Sequence, residues 1–179
     1  LKERTFSQAR FYQVRDVVAL TANSMLNGVY VTRSRELFDI SAAYVSLVRG
    51  STGVGRELVE AGDAQEGFES SHDVERWDVR DRNGDVQVEH WTFDPPENSV
   101  SPATGDSDAA GERYVILAVT RGSTTSVMST KFELRAGDTA AIAMHSPDRD
   151  EAERLLERAG WKLSLLDTEP GADPVPKTE

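Results

Sequence analysis

The first part of the chain alternates between two hydrophobic patterns. Residues 16–21 (DVVALT) form an unbroken apolar run, which is typical of a strand buried on both faces of a parallel sheet. Over residues 24–39 the apolar positions recur at helical spacing, and residues 42–48 (AAYVSLV) again predict a buried strand. The order strand, helix, strand predicts a right-handed βαβ crossover.

Shorter patterns surround this unit. Residues 4–13 (RTFSQARFYQ) predict a short amphipathic helix, and residues 56–61 predict another short helix. Residues 71–94 predict two strands, because Asn-Gly at 83–84 between alternating residues is a strong hairpin signal. Trp77 and Trp91 lie on opposite sides of that turn, so we expect them to pack across the two strands.

The last part of the chain has the sharpest pattern. Residues 94–111 are rich in Pro, Ser, Gly and acidic residues, which predicts a flexible loop or linker. The elements predicted after it are a strand from residue 113, a turn at 121–122, a second strand to 128, a tight turn at 136–138 and a strand over 139–145. A helix follows, with Ser146 as N-cap, Pro147 at its first position and Gly160 as C-cap.

Composition and charge exclude several classes of function. A formal net charge of −11 argues against nucleic acid or anionic lipid as the main partner, because both require a basic surface. The absence of cysteine excludes disulfides, thiolate metal sites and a cysteine nucleophile. No apolar run approaches the roughly 20 residues of a membrane span, and the N-terminus lacks a signal-peptide core. The chain begins with Leu1 rather than Met, which suggests a piece of a longer polypeptide.

Motifs that could carry chemistry fail on spacing. Residues 53–55 (GVG) begin like a dinucleotide fingerprint, but Leu58 occupies the third small position. Residues 81–85 (DRNGD) begin like a calcium loop, but their glycine is fourth instead of sixth. The three histidines lack metal-ligand spacing, and no serine lies in a Gly-x-Ser-x-Gly elbow. We therefore expect neither a metal site nor catalysis.

Two stretches together resemble the TrkA-type regulator of K⁺ conductance (RCK) module of bacterial cation transporters. Residues 17–48 resemble the late half of its nucleotide-binding subdomain, with a strand ending in Leu-Thr-x-Asn and a helix entered through Asn27. Residues 112–160 resemble its C-terminal subdomain, where Gly-Asp at 137–138 matches the most recognisable element. Residues 72–93 are similar to the cytoplasmic tails of some bacterial sodium/proton antiporters.

The resemblance implies an α/β fold, α+β overall, in which a partial Rossmann-like parallel sheet precedes a small β-rich subdomain with a C-terminal helix. The implied segments are a partial Rossmann-like unit in residues 1–50, a connecting helix and β-hairpin in 51–93, a flexible linker in 94–111, the TrkA C-terminal-like subdomain in 112–166 and a disordered tail in 167–179.

The resemblance also implies a function. Such modules dimerise and couple ligand binding to a transmembrane transport domain of the same polypeptide, on the cytoplasmic side of the inner membrane. Thr21, Asn23 and Asn27 lie at the C-terminal mouth of a parallel strand, where ligands of open α/β sheets bind, so they are the candidate binding residues. The full-length protein would bind a nucleotide such as NAD, ATP, ADP or cyclic di-AMP. The alternative is an autonomous small-molecule-sensing protein unrelated to transport.

Overall fold

Mixed α/β architecture is confirmed by the structure, a computed structural model. It describes residues 15–38, 40–46, 57, 64–68, 72–95 and 112–164. These residues form three α-helices and eight strands, in a parallel sheet of three strands and an antiparallel sheet of five. The helix predicted over residues 4–13, most of the linker and the predicted disordered tail lie outside the described residues, and of the helix over 56–61 only Glu57 lies within them.

The parallel sheet and its helix form the first unit of the fold. Its elements are β1 (Asp16–Ala19), α1 (Ser24–Leu37), β2 (Ala42–Val45) and β3 (Gln65–Glu66). β2 pairs in parallel with β1 on one side and with β3 on the other, which confirms the predicted strand, helix, strand unit. Its small core consists of buried aliphatic residues from β1, α1, β2 and the connection between α1 and β2, namely Ala19, Val31, Ile40, Ala43 and Val45.

One part of the prediction for β1 is wrong. Burial on both faces holds for the central strand β2, whose Ala43, Tyr44 and Val45 are all buried. In β1 only Ala19 is buried, and Val18 is 37% exposed. The reason is position, because β1 lies at the edge of the described sheet and α1 covers only one of its faces.

The antiparallel sheet forms the second unit. Its elements are α2 (Val74–Arg82), β4 (Val86–Phe93), β5 (Tyr114–Arg121), β6 (Thr124–Val127), β7 (Thr139–His145), a short 3-10 helix (Ser146–Asp148), α3 (Arg149–Arg158) and β8 (Trp161–Leu163). The strands lie in the order β6-β5-β7-β4-β8. The core of this unit is larger and richer in aromatic and long aliphatic side chains, including Trp91, Phe93, Ile142, Met144, Leu156 and Trp161.

The hairpin predicted around Asn-Gly at 83–84 is wrong, because its first half is the helix α2. Asp73 caps this helix by accepting a hydrogen bond from the backbone N–H of Arg76 at 3.0 Å. Asn83 is the C-cap, and Gly84 follows with φ +76°. The Asn-Gly pair thus serves a helix end, where a left-handed glycine is as favourable as in a hairpin turn.

The predicted packing of Trp77 against Trp91 is also wrong. Trp77 lies on α2, with the guanidinium of Arg80 5.1 Å from its ring centroid. Trp91 is 1% exposed and lies in β4, which pairs with both β7 and β8. Because β4 is an interior strand of this sheet, the boundary predicted between residues 51–93 and 112–166 passes through a single sheet.

The predictions for residues 113–160 hold except at the start of the last helix. β5, β6 and β7 lie where they were predicted, and Gly160 follows the C-cap of α3 with φ +92°. Ser146 is not the N-cap, because it begins the 3-10 helix with Pro147, and α3 starts only after Asp148. The short strand β8 was not predicted.

Candidate functional site

The three candidate binding residues lie together between β1 and α1. Asn23 is the N-cap of α1, and its Oδ1 accepts a hydrogen bond from the N–H of Leu26 at 3.0 Å. The backbone N–H of Asn23 donates to Oγ1 of Thr21 at 3.2 Å. Asn27, one turn into the helix, is completely buried. The structure therefore brings together the residues that the strand-end rule selected.

Asn27 connects the ends of two strands. Its Oδ1 accepts hydrogen bonds from the N–H of Thr21 at 2.8 Å and from its hydroxyl at 2.6 Å. Its Nδ2 donates to the carbonyl of Thr21 at 2.9 Å and to the carbonyl of Ser46 at 3.0 Å. A side-chain amide accepts two hydrogen bonds and donates two, so its capacity is fully used inside the protein. We call Asn27 together with its partners Thr21 and Ser46 the Asn27 lock.

The lock changes the chemistry available at this edge of the sheet. Because Asn27 is saturated and buried, it holds the end of β1 against the end of β2 and has no atom left for a ligand. Thr21 is half-buried and Asn23 is exposed, so these two side chains are the ones that solvent and a ligand can reach. Of the three candidate residues, Asn27 is thus a positioning residue.

A second buried polar cluster joins β5 to the start of β7. Asp138 is 2% exposed, and its two carboxylate oxygens accept from Nε and Nη2 of Arg121 at 2.8 and 2.7 Å. The N–H of Arg135 donates to the same carboxylate at 2.8 Å. Nη2 of Arg121 also donates to the carbonyl of Glu133 at 2.8 Å. We call the pair of side chains the Arg121–Asp138 clamp.

The clamp perturbs both of its charged groups. The hydrogen bonds from Arg121 hold the pKa of the Asp138 carboxyl below its usual range, in spite of burial, and the N–H of Arg135 adds to this effect. The same hydrogen bond raises the pKa of the Arg121 guanidinium. The carboxylate therefore stays ionised, and its charge is neutralised within the fold.

The sequence contained a signal for this clamp that was missed. Gly-Asp at 137–138 was interpreted as turn chemistry, which accounts for Gly137 with φ +88°. In the antiparallel pairing of β5 with β7, however, Thr120 lies opposite Thr139, which places the next residue, Arg121, opposite Asp138. An acidic and a basic residue in this register predict an ion pair across the strands.

A third polar cluster lies at the opposite end of the antiparallel sheet. Nδ1 of His145 lies 2.7 Å from the carboxylate of Asp148, and this hydrogen bond lowers the pKa of Asp148. Arg80, which is 7% exposed, donates to the carbonyl of Glu112 at 2.6 Å. Burial lowers the pKa of Arg80. The first contact ties the 3-10 helix to the end of β7, and the second ties α2 to the residues just before β5.

The part of the chain that the structure describes contains neither a cluster of metal-binding side chains nor a membrane-spanning helix. There, no group of three or more His, Cys, Asp or Glu side chains could hold a metal ion. Within the same ranges, no helix has both the length and the apolar character that crossing a membrane requires.

Comparison with protein-family models and with curated proteins finds no match to this chain.

Proposed function

We propose that the chain is a cytosolic regulatory domain of a bacterial cation/proton antiporter or related K⁺/Na⁺ transporter, which couples ligand binding and dimerisation to transport. The observation that carries this proposal is the division of the described residues into two units with separate cores, one parallel and one antiparallel. The two stretches that resemble the RCK module, residues 17–48 and 112–160, fall in different units, although the parallel unit also includes β3 and the antiparallel unit also includes α2 and β4. Two bodies that can shift relative to each other are what a switch between two arrangements requires.

A non-catalytic role is supported by how the chain uses its buried polar groups. Asn27 forms all four of its hydrogen bonds with Thr21 and Ser46 at the ends of two strands. Asp138 is neutralised by Arg121 and bonded to a backbone N–H. Groups that are held in this way stabilise a scaffold, and they are poorly placed to attack or protonate a substrate.

Dimerisation is supported by the unusual faces of α1. The buried residues of α1 are small or polar apart from Val31, namely Ser24, Asn27, Gly28, Val31 and Ser34. The outward face carries larger apolar side chains, with Met25 57%, Val29 45% and Leu26 38% exposed. An apolar face that the fold leaves in water is typical of an interface, and in this proposal a second copy of the chain covers it.

The first test measures the oligomeric state. We expect the chain to sediment as a dimer, and we expect Val29→Asp to dissociate it, because a carboxylate would be buried in an apolar interface. Ser123→Asp is the matched control, since it adds the same charge at the exposed turn between β5 and β6. A wild-type chain that is monomeric at high micromolar concentration would contradict the dimer.

The second test measures ligand binding. Thermal unfolding is followed with NAD, NADH, ATP, ADP, cyclic di-AMP, Na⁺, K⁺ and divalent cations added one at a time. A ligand at 100 times its Kd stabilises the folded state by about 2.7 kcal/mol, which raises the Tm clearly. A ligand that binds a monomeric chain would favour the autonomous sensor instead. No shift with any of these compounds would contradict a sensing role for this chain.

A further inference from the structure

The two units meet at a short contact that involves the strand β3. β3 pairs with β2 on one side, and there the N–H of Gly67 donates to the carbonyl of Val45 at 2.8 Å. On its other side the chain meets the segment that follows β6, where the N–H of Phe68 donates to the carbonyl of Met128 at 2.6 Å and Gly67 forms an antiparallel bridge with Ser129. We call residues 65–68 together with residues 128–130 the junction.

Residues 128–130 are anchored in the antiparallel unit and are also hydrogen-bonded to β3. Met128 is 5% exposed, belongs to the core of the antiparallel unit and donates its N–H to the carbonyl of Leu117 at 3.1 Å. Ser129 is buried, and its hydroxyl donates to Oε1 of Gln65 at 3.2 Å. The N–H of Thr130 adds a longer hydrogen bond to the carbonyl of Glu66 at 3.3 Å. A displacement of β3 therefore pulls directly on residues 128–130.

Phe68 holds a strained backbone conformation at this contact. Its φ is +67°, and among the described residues it is the one non-glycine residue with a positive φ. A bulky side chain adopts this region only where its surroundings impose it. Here the backbone bond to Met128 and burial of the ring, whose centroid lies 5.9 Å from that of His72, supply the constraint.

The loop that starts at the junction is held at its far end as well. Residues 129–138 run from the bridge with Gly67 to the Arg121–Asp138 clamp. Arg121 also holds the carbonyl of Glu133 in the middle of this loop. These hydrogen bonds form a connected path from the junction to the clamp, along which a displacement can be transmitted.

We propose that the junction is the coupling element of the chain, through which a shift of the parallel unit reaches residues 129–138 and the clamp, with Phe68 as its latch. The biological use of this coupling rests on the proposed regulatory function. The coupling itself is a property of the chain without any ligand.

Hydrogen exchange of the full chain, resolved for single amides, tests the coupling. Val31→Ala loosens the core of the parallel unit, in which Val31 is 1% exposed. With the junction intact, we expect the amides of Thr130, Phe132 and Asp138 to lose about fivefold in protection, as for a local change of about 1 kcal/mol. In a chain that also carries Phe68→Ala, Val31→Ala should cause no further loss at these amides.

The controls separate coupling from general damage. Gly67→Ala places a methyl group 3.5 Å from Cβ of Tyr44, an ordinary contact, so we expect this variant to transmit the loss as the wild type does. If Phe68→Ala does not fold, Gln65→Ala removes only the side-chain bond to Ser129 and should reduce the transmitted loss. Unchanged protection at residues 130–138 after Val31→Ala would overturn the proposal, as would a loss that persists in full without the latch.

A second comparison tests the strain at Phe68. Glycine adopts φ +67° without steric cost, so we expect Phe68→Gly to keep about fivefold more protection at the junction than Phe68→Ala. At Thr124, on the exposed strand β6, the order should be the reverse, with alanine above glycine. Equal or greater protection in Phe68→Ala would show that the latch is unstrained. These measurements need neither a ligand nor a dimer, so their failure leaves the tests of the proposed function unaffected.

Discussion

Each unit of the fold has one buried polar side chain that ties strand ends together, and the two side chains differ in charge. In the parallel unit it is Asn27, which is neutral and both donates and accepts. In the antiparallel unit it is Asp138, which only accepts. The difference follows from the groups that have to be satisfied at each place.

The partners explain the choice. The ends of β1 and β2 present both kinds of backbone group, because Thr21 offers an N–H and a carbonyl and Ser46 offers a carbonyl. Asn27 makes four hydrogen bonds there, and an amide is the side chain that can accept two and donate two. At the start of β7 all the partners are donors, from the guanidinium of Arg121 and the N–H of Arg135, so a carboxylate is required. The hydrogen bonds of Asn27 therefore do not depend on pH, whereas those of Asp138 require an ionised carboxylate.

Introducing a negative charge at Asn27 should have the largest effect. In Asn27→Asp, a carboxylate oxygen would replace the Nδ2 that donates to the carbonyls of Thr21 and Ser46, at a site without solvent. We expect a loss of about 4 kcal/mol in the free energy of unfolding at neutral pH. Burial would raise the pKa of the new carboxyl in the folded state, so the loss should be smaller at low pH and should grow as pH rises above about 4.

The same substitution four residues earlier is the control. Asn23→Asp keeps a good N-cap acceptor and places a negative charge at the positive end of α1, so we expect it to be neutral or slightly stabilising. Chemical denaturation of both variants at pH 7 and pH 4 makes the comparison. Equal losses in Asn23→Asp and Asn27→Asp would show that Asn27 does not act as a lock.

Removing the charge of the clamp should cost less. Asp138→Asn turns one carboxylate oxygen into a donor that faces Arg121 or the N–H of Arg135, and we expect a loss of about 3 kcal/mol at pH 7. The folded-state pKa of Asp138 lies below the unfolded value of about 3.9, so its contribution is present above about pH 4 and is lost as pH falls through the folded value.

The variant should therefore lose less stability between pH 7 and pH 3 than the wild type does. Urea denaturation followed by tryptophan fluorescence reports on this unit, because Trp91 and Trp161 lie in its core. Glu133→Gln, an exposed carboxylate on the same loop, is the control and should change little. An acid-side loss as large in Asp138→Asn as in the wild type would assign the pH dependence to other groups.

Local signals in the sequence predicted most of the fold. The strand, helix, strand order of the parallel unit and the strands β5 to β7 follow from hydrophobic period and from glycines in turns. The failure at residues 71–94 has a physical reason, since Asn-Gly fits a helix end as well as a hairpin. The capping Asp73, Glu75 in the first turn and Arg80 and Arg82 in the last favour the helix.

The candidate site was predictable in position and not in chemistry. A rule about the ends of parallel strands selects Thr21, Asn23 and Asn27 together. The saturation of Asn27 depends on the carbonyl of Ser46, which only the folded sheet brings within 3.0 Å. The pairing of Arg121 with Asp138 likewise requires the register of two strands. A single sequence places candidate residues at the end of one strand, while their partners across the sheet and their remaining hydrogen-bonding capacity are properties of the fold.

The helix ends of the two units also differ, and substitution of the glycine that follows α3 has the smallest expected effect. The C-cap of α1 is the extended Phe38, whereas the C-cap of α3 is followed by Gly160, where an added Cβ would lie 2.9 Å from Cα of Pro95. Gly122 has a similar positive φ with no atom within 4 Å of its position for a Cβ. We expect Gly160→Ala to lower the free energy of unfolding by about 1 kcal/mol more than Gly122→Ala, or Tm by about 3 °C more. Both alanines are strained in the left-handed backbone conformation, but only the one at 160 meets a neighbouring chain segment. Equal Tm values for the two variants would mean that Pro95 yields to the added methyl group.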